Sequence, residues 1–189
     1  RALEEIYVEE RGDLDIVLFS DHGMSDSPCA RIGIEEHLKR SGYVPRQRLE
    51  EAKDVVLLPT GLISCGYLYA SDTCKPELAA ALVTLAGVDF SCYRRGDSVI
   101  VTGRRGTAVI ERRGDRFRYQ PVAGDPLALR PVLDRLARAG AVDADGFVAD
   151  RELAAATWEH EYPDAVNRVY HGATGHVKNV GDVMVSLED

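Results

Sequence analysis

The stretch Asp15–Pro28 of this chain has the sequence DIVLFSDHGMSDSP. It contains most of a nearly continuous apolar run, Leu14–Ser20, which ends abruptly in Asp-His-Gly. Such a run is typical of a strand that is buried on both faces, as in a parallel sheet covered by helices. The preceding segment, Ala2–Glu10, has apolar residues at helical spacing. A helix, a glycine-containing turn and a buried strand together predict half of an α/β unit.

Further along the chain, the sequence predicts a β-rich region between helices. Two apolar runs around Pro59-Thr60-Gly61 predict a pair of strands, and KPELAAALVTLAG, from Lys75, predicts a helix. Between Val88 and Tyr119, four short β-rich runs alternate with Arg-Gly or Gly-Asp turns, which predicts an antiparallel meander. Two helical stretches follow, the second interrupted at Pro163, and the final GDVMVSLED predicts a strand.

These patterns predict an α/β chain with three regions. Residues 1–44 are expected to form a core α/β segment, and residues 45–125 a β-rich inserted cap subdomain. Residues 126–189 are expected to supply helices and a strand that return to the core. The chain begins without Met and stops directly after a strand-like run, so we expect both ends to be cut from a longer protein.

Composition excludes several classes of function. The net charge of −8 over 189 residues argues against a nucleic-acid polymer held by phosphate contacts. No apolar stretch approaches the roughly 18 residues that a membrane helix needs. The four cysteines lack C-x-x-C spacing, which predicts free thiols in a reducing compartment and hence a cytoplasmic location. The oligomeric state is not indicated by the sequence.

Asp21 and His22 are the leading candidates for metal ligands. They lie at the carboxyl end of the predicted buried strand, where ligands bind in open α/β sheets. Gly23 allows the sharp turn that would bring both side chains to one ion. A carboxylate oxygen with an imidazole nitrogen suits Zn²⁺ or Mn²⁺ better than Ca²⁺. The alternative is an aspartate that caps a turn beside an ordinary loop histidine.

The segment IVLFSDHGMSD resembles the signature of the alkaline phosphatase superfamily. It is most similar to the type I phosphodiesterase and nucleotide pyrophosphatase branch, where an apolar strand leads into S-D-H-G-M. The layout is loosely similar through LLPTGLISCGYLY and RYQPVAGDPLAL to the final GDVMVSLED. The resemblance implies part of an alkaline-phosphatase-like core sheet with helices on both faces, plus the cap. It also implies two divalent metal ions, Zn or else Mn, in the full-length protein.

The activity implied by the resemblance is hydrolysis of a small phosphodiester or pyrophosphate substrate of the nucleotide type. The reaction would pass through a phosphorylated Ser or Thr, and Asp21 and His22 would bind the metal that also contacts this nucleophile. The nucleophile and the remaining ligands are expected outside this chain, which alone should be inactive. Because the DHG feature is shared, a phosphomonoesterase, a sulfatase or a phosphoglycerate mutase remains an alternative.

Further polar residues are weaker candidates. His171 and His176, each next to a glycine, are possible metal ligands, although a helix terminus and its loop would have the same sequence. Ser25 and Asp26 could hold His22 or a metal-bound water, although turn formation and helix capping are alternatives.

The arginines between Arg94 and Arg118 raise a second hypothesis of another class. They could decorate the turns of the meander, or they could form a partner-facing rim. In the second case the chain would be a non-catalytic binding module with an Arg-rich surface. Farther along the chain, His160 lies among acidic residues, which suggests either a weak surface metal site or a solvated turn. We expect Trp158 to anchor its helix by packing.

Overall fold

The computed structural model describes residues 2–11, 13, 15, 17, 31–58, 64–175 and 177–188. The chain divides into two compact units, Arg1–Ala30 and Arg31–Asp189. The first unit contains helix α1 (Ala2–Glu9), which confirms the helix predicted there. Most of the predicted strand Leu14–Ser20 lies outside the described residues.

The described part of the second unit contains five helices and nine strands. The helices are α2 (Ile34–Arg40), α3 (Lys75–Leu82), α4 (Arg130–Arg138), α5 (Asp150–Ala156) and α6 (Ala165–Thr174). The strands are β1 (Val44–Pro45), β2 (Asp54–Leu57), β3 (Cys65–Ala70), β4 (Val88–Arg95), β5 (Ser98–Gly103), β6 (Gly106–Arg113), β7 (Arg116–Gly124), β8 (Val148–Ala149) and β9 (Val183–Leu187).

The nine strands form one open sheet in the order β1-β2-β3-β9-β4-β5-β6-β7-β8. β1 and β2 are parallel, and the other neighbouring pairs are antiparallel. The fold is therefore mixed α/β, and β4 to β7 form the predicted antiparallel meander. The last strand, β9, lies between β3 and β4, among strands of the 45–125 region.

Helices cover both faces of this sheet because its strands alternate two sets of apolar side chains. In β9, Met184 belongs to a core cluster with residues of α4, α5 and α6. Its neighbours Val183 and Val185 belong to a second cluster with Leu38 of α2 and Leu78 of α3. The sheet thus separates two cores. No helix in the described part of the chain has the length and apolar character needed to cross a membrane.

Two glycines allow close approach of the chain where β6 meets the end of β7. Gly106 has φ +132° and Gly124 has φ +71°, both in the region that favours glycine. A Cβ atom on Gly106 would lie 1.8 Å from the carbonyl oxygen of Ala123, and one on Gly124 would lie 2.0 Å from that of Arg105. Any side chain would separate these backbones, so the glycines help to fix the turn that carries Arg104 and Arg105.

The prediction that Trp158 is a packing anchor is wrong. Its side chain is 80% exposed. Helix α5 ends at Ala156, and Leu153 and Thr157 occupy the buried positions at its end. The Thr157 hydroxyl donates to the carbonyl oxygen of Leu153 at 2.7 Å, and Thr157 is 1% exposed, so Thr157 and not Trp158 packs inward at the end of the helix.

Candidate functional site

The residues that the sequence places nearest to the predicted metal lie outside the described part of the chain. These are Asp21, His22, Ser25, Asp26 and His176. Their roles in metal binding stay predictions.

His171 lies on α6 and packs by its ring. The ring makes edge-to-face contacts with Phe117, at a centroid distance of 6.1 Å, and with Tyr170, at 5.7 Å. Among the described residues, no group of three or more His, Cys, Asp or Glu side chains could hold a metal ion. A metal role for His171 would therefore need ligands from other parts of the protein, and it stays a prediction.

His160 has a structural role. Its Nδ1 accepts a hydrogen bond of 3.0 Å from the backbone N–H of Tyr162, so the ring proton of the neutral form lies on Nε2. Nε2 lies 3.2 Å from the carbonyl oxygen of Ala128, to which it donates. Nδ1 thus stabilises the turn before α6, and Nε2 connects this turn to the segment before α4. These contacts disfavour the surface metal site that the acidic neighbours of His160 suggested.

Several arginines of the meander are also engaged within the chain. Arg113 contacts Asp143 and Asp145 of the loop between α4 and α5, each at 2.7 Å. The guanidinium carbons of Arg113 and Arg118 lie 4.3 and 5.1 Å from the ring centroid of Phe147 in the same loop. These side chains attach the loop to the sheet. The contacts favour a structural role for them over the partner-facing rim of the binding-module hypothesis.

A cleft of about 840 Å³ is the candidate site in the described part of the second unit. One wall contains the ends of β3, β4 and β9, and the β5–β6 turn contributes Arg104 and Arg105. The opposite wall is formed by residues from Glu161 to Gly172, which include most of α6. The volume of the cleft lies within the range of small-molecule sites.

A hydrogen-bonded chain of four side chains joins three elements at this cleft. The Tyr162 hydroxyl donates to Oδ1 of Asp89 at 2.9 Å and accepts a hydrogen bond from Arg105 at 2.5 Å. The same guanidinium contacts the two carboxylate oxygens of Glu161 at 3.1 and 3.3 Å. It also lies 5.4 Å from the Tyr162 ring centroid, so hydrogen bonds and ring stacking both fix its position.

Burial and hydrogen bonding shift the pKa values of these hydrogen-bonded side chains in different directions. Burial raises the pKa of Asp89, although the hydrogen bond from Tyr162 and the charge of Arg105 oppose the rise. Burial and the bond to Asp89 raise the pKa of Tyr162, which keeps the phenol protonated as a donor. The hydrogen bond from Arg105 lowers the pKa of Glu161. The arrangement therefore holds a protonated phenol between a guanidinium and a carboxylate.

The cleft also has an apolar side. Phe90 meets the Tyr162 ring edge-on at a centroid distance of 6.2 Å, and Val169 and Met184 line the same space. The partly buried thiol of Cys65 is part of the lining, whereas Cys74 and Cys92 are buried. The geometry suits a ligand that has both an apolar body and a polar group.

Sequence reasoning did not identify this cleft. Asp89 lies 73 residues from Tyr162, and Arg105 lies 57 residues from it, so no short pattern contains the set. Arg105 had been marked as one of the meander arginines and Glu161 as an acidic neighbour of His160, but nothing in the sequence joined the two. Comparisons with protein-family models, with curated proteins and with solved structures found no match to this chain.

Proposed function

We propose that the chain is part of a divalent-metal-dependent phosphoesterase of the alkaline phosphatase superfamily. Its substrate would be a small phosphodiester or pyrophosphate of the nucleotide type. The observation that carries the proposal is the sequence Asp21-His22-Gly23-Met24 directly after the apolar run Leu14–Ser20. The mixed α/β fold, with helices on both faces of an open sheet, is compatible with an alkaline-phosphatase-like core and cap.

The donor set of this segment fits a transition metal. Asp21 offers a charged oxygen and His22 a neutral nitrogen, a combination that Zn²⁺ and Mn²⁺ accept. When bound, such an ion neutralises charge on phosphoryl oxygens and activates a hydroxyl group. Asp21 and His22 would hold the ion, and Gly23 would let the backbone turn between them. The Ser or Thr nucleophile would come from another segment of the full-length protein.

The proposal is tested on the full-length gene product by metal analysis and by hydrolysis of bis(p-nitrophenyl) phosphate. We expect the purified protein to retain Zn or Mn, and we expect Asp21→Ala and His22→Ala to lose most of it. Hydrolysis should fall by about 100-fold or more in both variants, since an incomplete metal site cannot stabilise the phosphoryl charge.

Asp13→Ala is the matched control for these variants. Asp13 is an exposed carboxylate that precedes the apolar run, and its replacement should leave metal content and hydrolysis unchanged. Metal retention that is equal in the wild type, Asp21→Ala and His22→Ala would refute the proposal. Parallel assays with an aryl phosphate monoester and an aryl sulfate distinguish the other branches of the superfamily.

A further inference from the structure

We propose that the cleft of the second unit binds a small organic carboxylate, in which one anionic group is attached to an apolar body. The residues that line the cleft all belong to the described part of the second unit. The proposed site does not use Asp21 or His22, and it does not require a metal.

Arg168 supplies the anchor for the carboxylate. It lies on α6, is exposed and lines the cleft. Its guanidinium makes a long contact of 3.5 Å with the carbonyl oxygen of Pro163, and its charge acts to lower the pKa of Asp164, but no ion pair within 4.0 Å joins it to a carboxylate of the described residues. A guanidinium with unused donors matches the geometry of a carboxylate, which it can bind through two parallel hydrogen bonds.

Two further arginines line the cleft and are already paired. Arg104 contacts Glu188 at 3.2 Å, and Arg105 contacts Glu161 at 3.1 Å. These ion pairs are solvent-exposed, and exposed pairs of this kind stabilise a protein only weakly. Their remaining N–H groups can still attract an anion, while their carboxylate partners limit the positive charge that the cleft presents.

The charges that line the cleft disfavour a ligand with two negative charges. The lining contains three guanidinium groups, and three carboxylates, on Asp89, Glu161 and Glu188, oppose them. A phosphate monoester with two negative charges would be repelled by these carboxylates more than a carboxylic acid anion would. The carboxylate is therefore the favoured group.

The apolar side of the cleft suits the body of the ligand. Phe90, Val169 and Met184 are buried core residues that present little surface to the cleft, and the partly exposed Leu187 adds to this apolar side. Gly172 lets α6 pack closely on β9 at the edge of the cleft, because a Cβ atom there would lie 3.2 Å from the sulfur of Met184. An aromatic ring could be covered by these groups while its carboxylate reaches Arg168.

The test is a titration of the ¹⁵N-labelled chain with 2-naphthoate, followed by NMR in a buffer with chelator. We expect saturable shifts at the backbone amides of Gly172 and Ser186, with a Kd at or below about 1 mM. Arg168→Gln should weaken binding about tenfold or more, because it removes a charge-assisted hydrogen bond. Arg138→Gln, which changes an exposed arginine on α4, should bind like the wild type.

Two further ligands test the charge that the cleft prefers, and one labelling measurement tests whether the ligand occupies the cleft. Neutral 2-naphthamide and the dianion 2-naphthyl phosphate should both bind more weakly than 2-naphthoate. In a Cys29→Ser background, saturating 2-naphthoate should slow alkylation of Cys65, which lines the cleft. Absence of saturable shifts, equal binding by Arg168→Gln, or equal binding of the amide or the phosphate would overturn the proposal. Because the chelator removes divalent metals, such a failure leaves the phosphoesterase proposal untouched.

Discussion

The hydroxyl of Tyr162 donates a hydrogen bond of 2.9 Å to Oδ1 of Asp89. Asp89 lies at an irregularity in the pairing of β4 with β9, between Val88 and Phe90, and Tyr162 lies in the turn before α6. The same phenol oxygen accepts a hydrogen bond from Arg105 in the β5–β6 turn. One hydroxyl group thus connects three parts of the cleft.

Removal of this hydroxyl should destabilise the fold. We expect Tyr162→Phe to lower the free energy of unfolding by about 1–2 kcal/mol, because it leaves the partly buried Asp89 without its donor. Urea denaturation measures the change. The matched control is Tyr69→Phe, since the Tyr69 hydroxyl donates to the carbonyl oxygen of Asn179 at an exposed site. Tyr69→Phe should lower the free energy of unfolding by about 0.5 kcal/mol or less. Equal decreases in the two variants would contradict the importance of the Tyr162 hydroxyl.

Asp89 should make stability depend on pH in an uncommon direction for a carboxyl group. Its pKa is raised above the ordinary 3.8, chiefly by burial, so the folded state binds this proton more tightly than the unfolded state. The contribution of Asp89 to the free energy of unfolding therefore decreases as the pH rises above 3.8 and through the folded-state pKa. As the pH rises from about 4 to 7, we therefore expect the wild type to lose stability relative to Asp89→Asn.

The measurement for Asp89 is a series of urea denaturations across that pH range. Tyr162→Phe should enlarge the effect, since the hydrogen bond from the phenol lowers the pKa of Asp89. Parallel stability profiles for the wild type and Asp89→Asn would show that burial does not control this carboxyl group.

Local sequence patterns were enough to predict the meander but not the position of β9. The turns of β4 to β7 contain Arg-Gly or Gly-Asp pairs, and each strand pairs with its neighbour in sequence. The apolar pattern of β9 predicts a strand, but its place between β3 and β4 depends on partners that lie far away in the chain. The two-residue strands β1 and β8 are too short to produce a periodic pattern.

The cleft could not be predicted for a related reason. Its polar groups come from β4, the β5–β6 turn, the segment around α6 and the end of β9, and each looks ordinary in its own stretch of sequence. Only folding brings Asp89, Arg105 and Tyr162 together. The proposed metal-binding role of Asp21 and His22 is the opposite case, because the two residues are adjacent and the sequence alone can suggest such a role.

Asp143 should show the more common pH dependence. Hydrogen bonds from the backbone N–H groups of Phe147 and Asp145, followed by the charge of Arg113, hold its pKa below the ordinary 3.8. The stability that it contributes is therefore present above pH 3.8 and is lost as the pH falls toward the folded-state pKa. We expect Asp143→Asn to be less stable than the wild type at neutral pH, and the difference to shrink on acidification below 3.8.

Acid titrations of unfolding, followed by circular dichroism, test this expectation for Asp143. The control is Asp134→Asn, which replaces an exposed carboxylate on α4 and should change stability little. A stability difference that stays constant across the acid range would mean that the loop holds Asp143 equally well in both protonation states.

Phe117 should be one of the most sensitive core positions. Its ring is 1% exposed and meets Tyr170 edge-on at a centroid distance of 5.5 Å, which attaches β7 to α6. We expect Phe117→Ala to lower the free energy of unfolding by about 3–5 kcal/mol, because truncation leaves a cavity between sheet and helix. Val122→Ala on the same strand, where the side chain is 65% exposed, should cost about 0.5 kcal/mol or less. Similar losses at both positions, measured by urea denaturation, would be inconsistent with the described core.

If Asp21 and His22 bind zinc in the full-length protein, affinity should fall as the medium becomes acidic. An imidazole ligand must be neutral, and a free histidine has a pKa of about 6.5, so protons compete with the metal below that pH. Each unit of pH below this range should weaken binding about tenfold for each histidine ligand. Competition with a chromophoric chelator measures the affinity between about pH 5 and 8.

His22→Asp would replace the imidazole with a carboxylate, so the remaining affinity should depend less steeply on pH. An unchanged slope in that variant would exclude His22 as a ligand, even if the protein retained zinc.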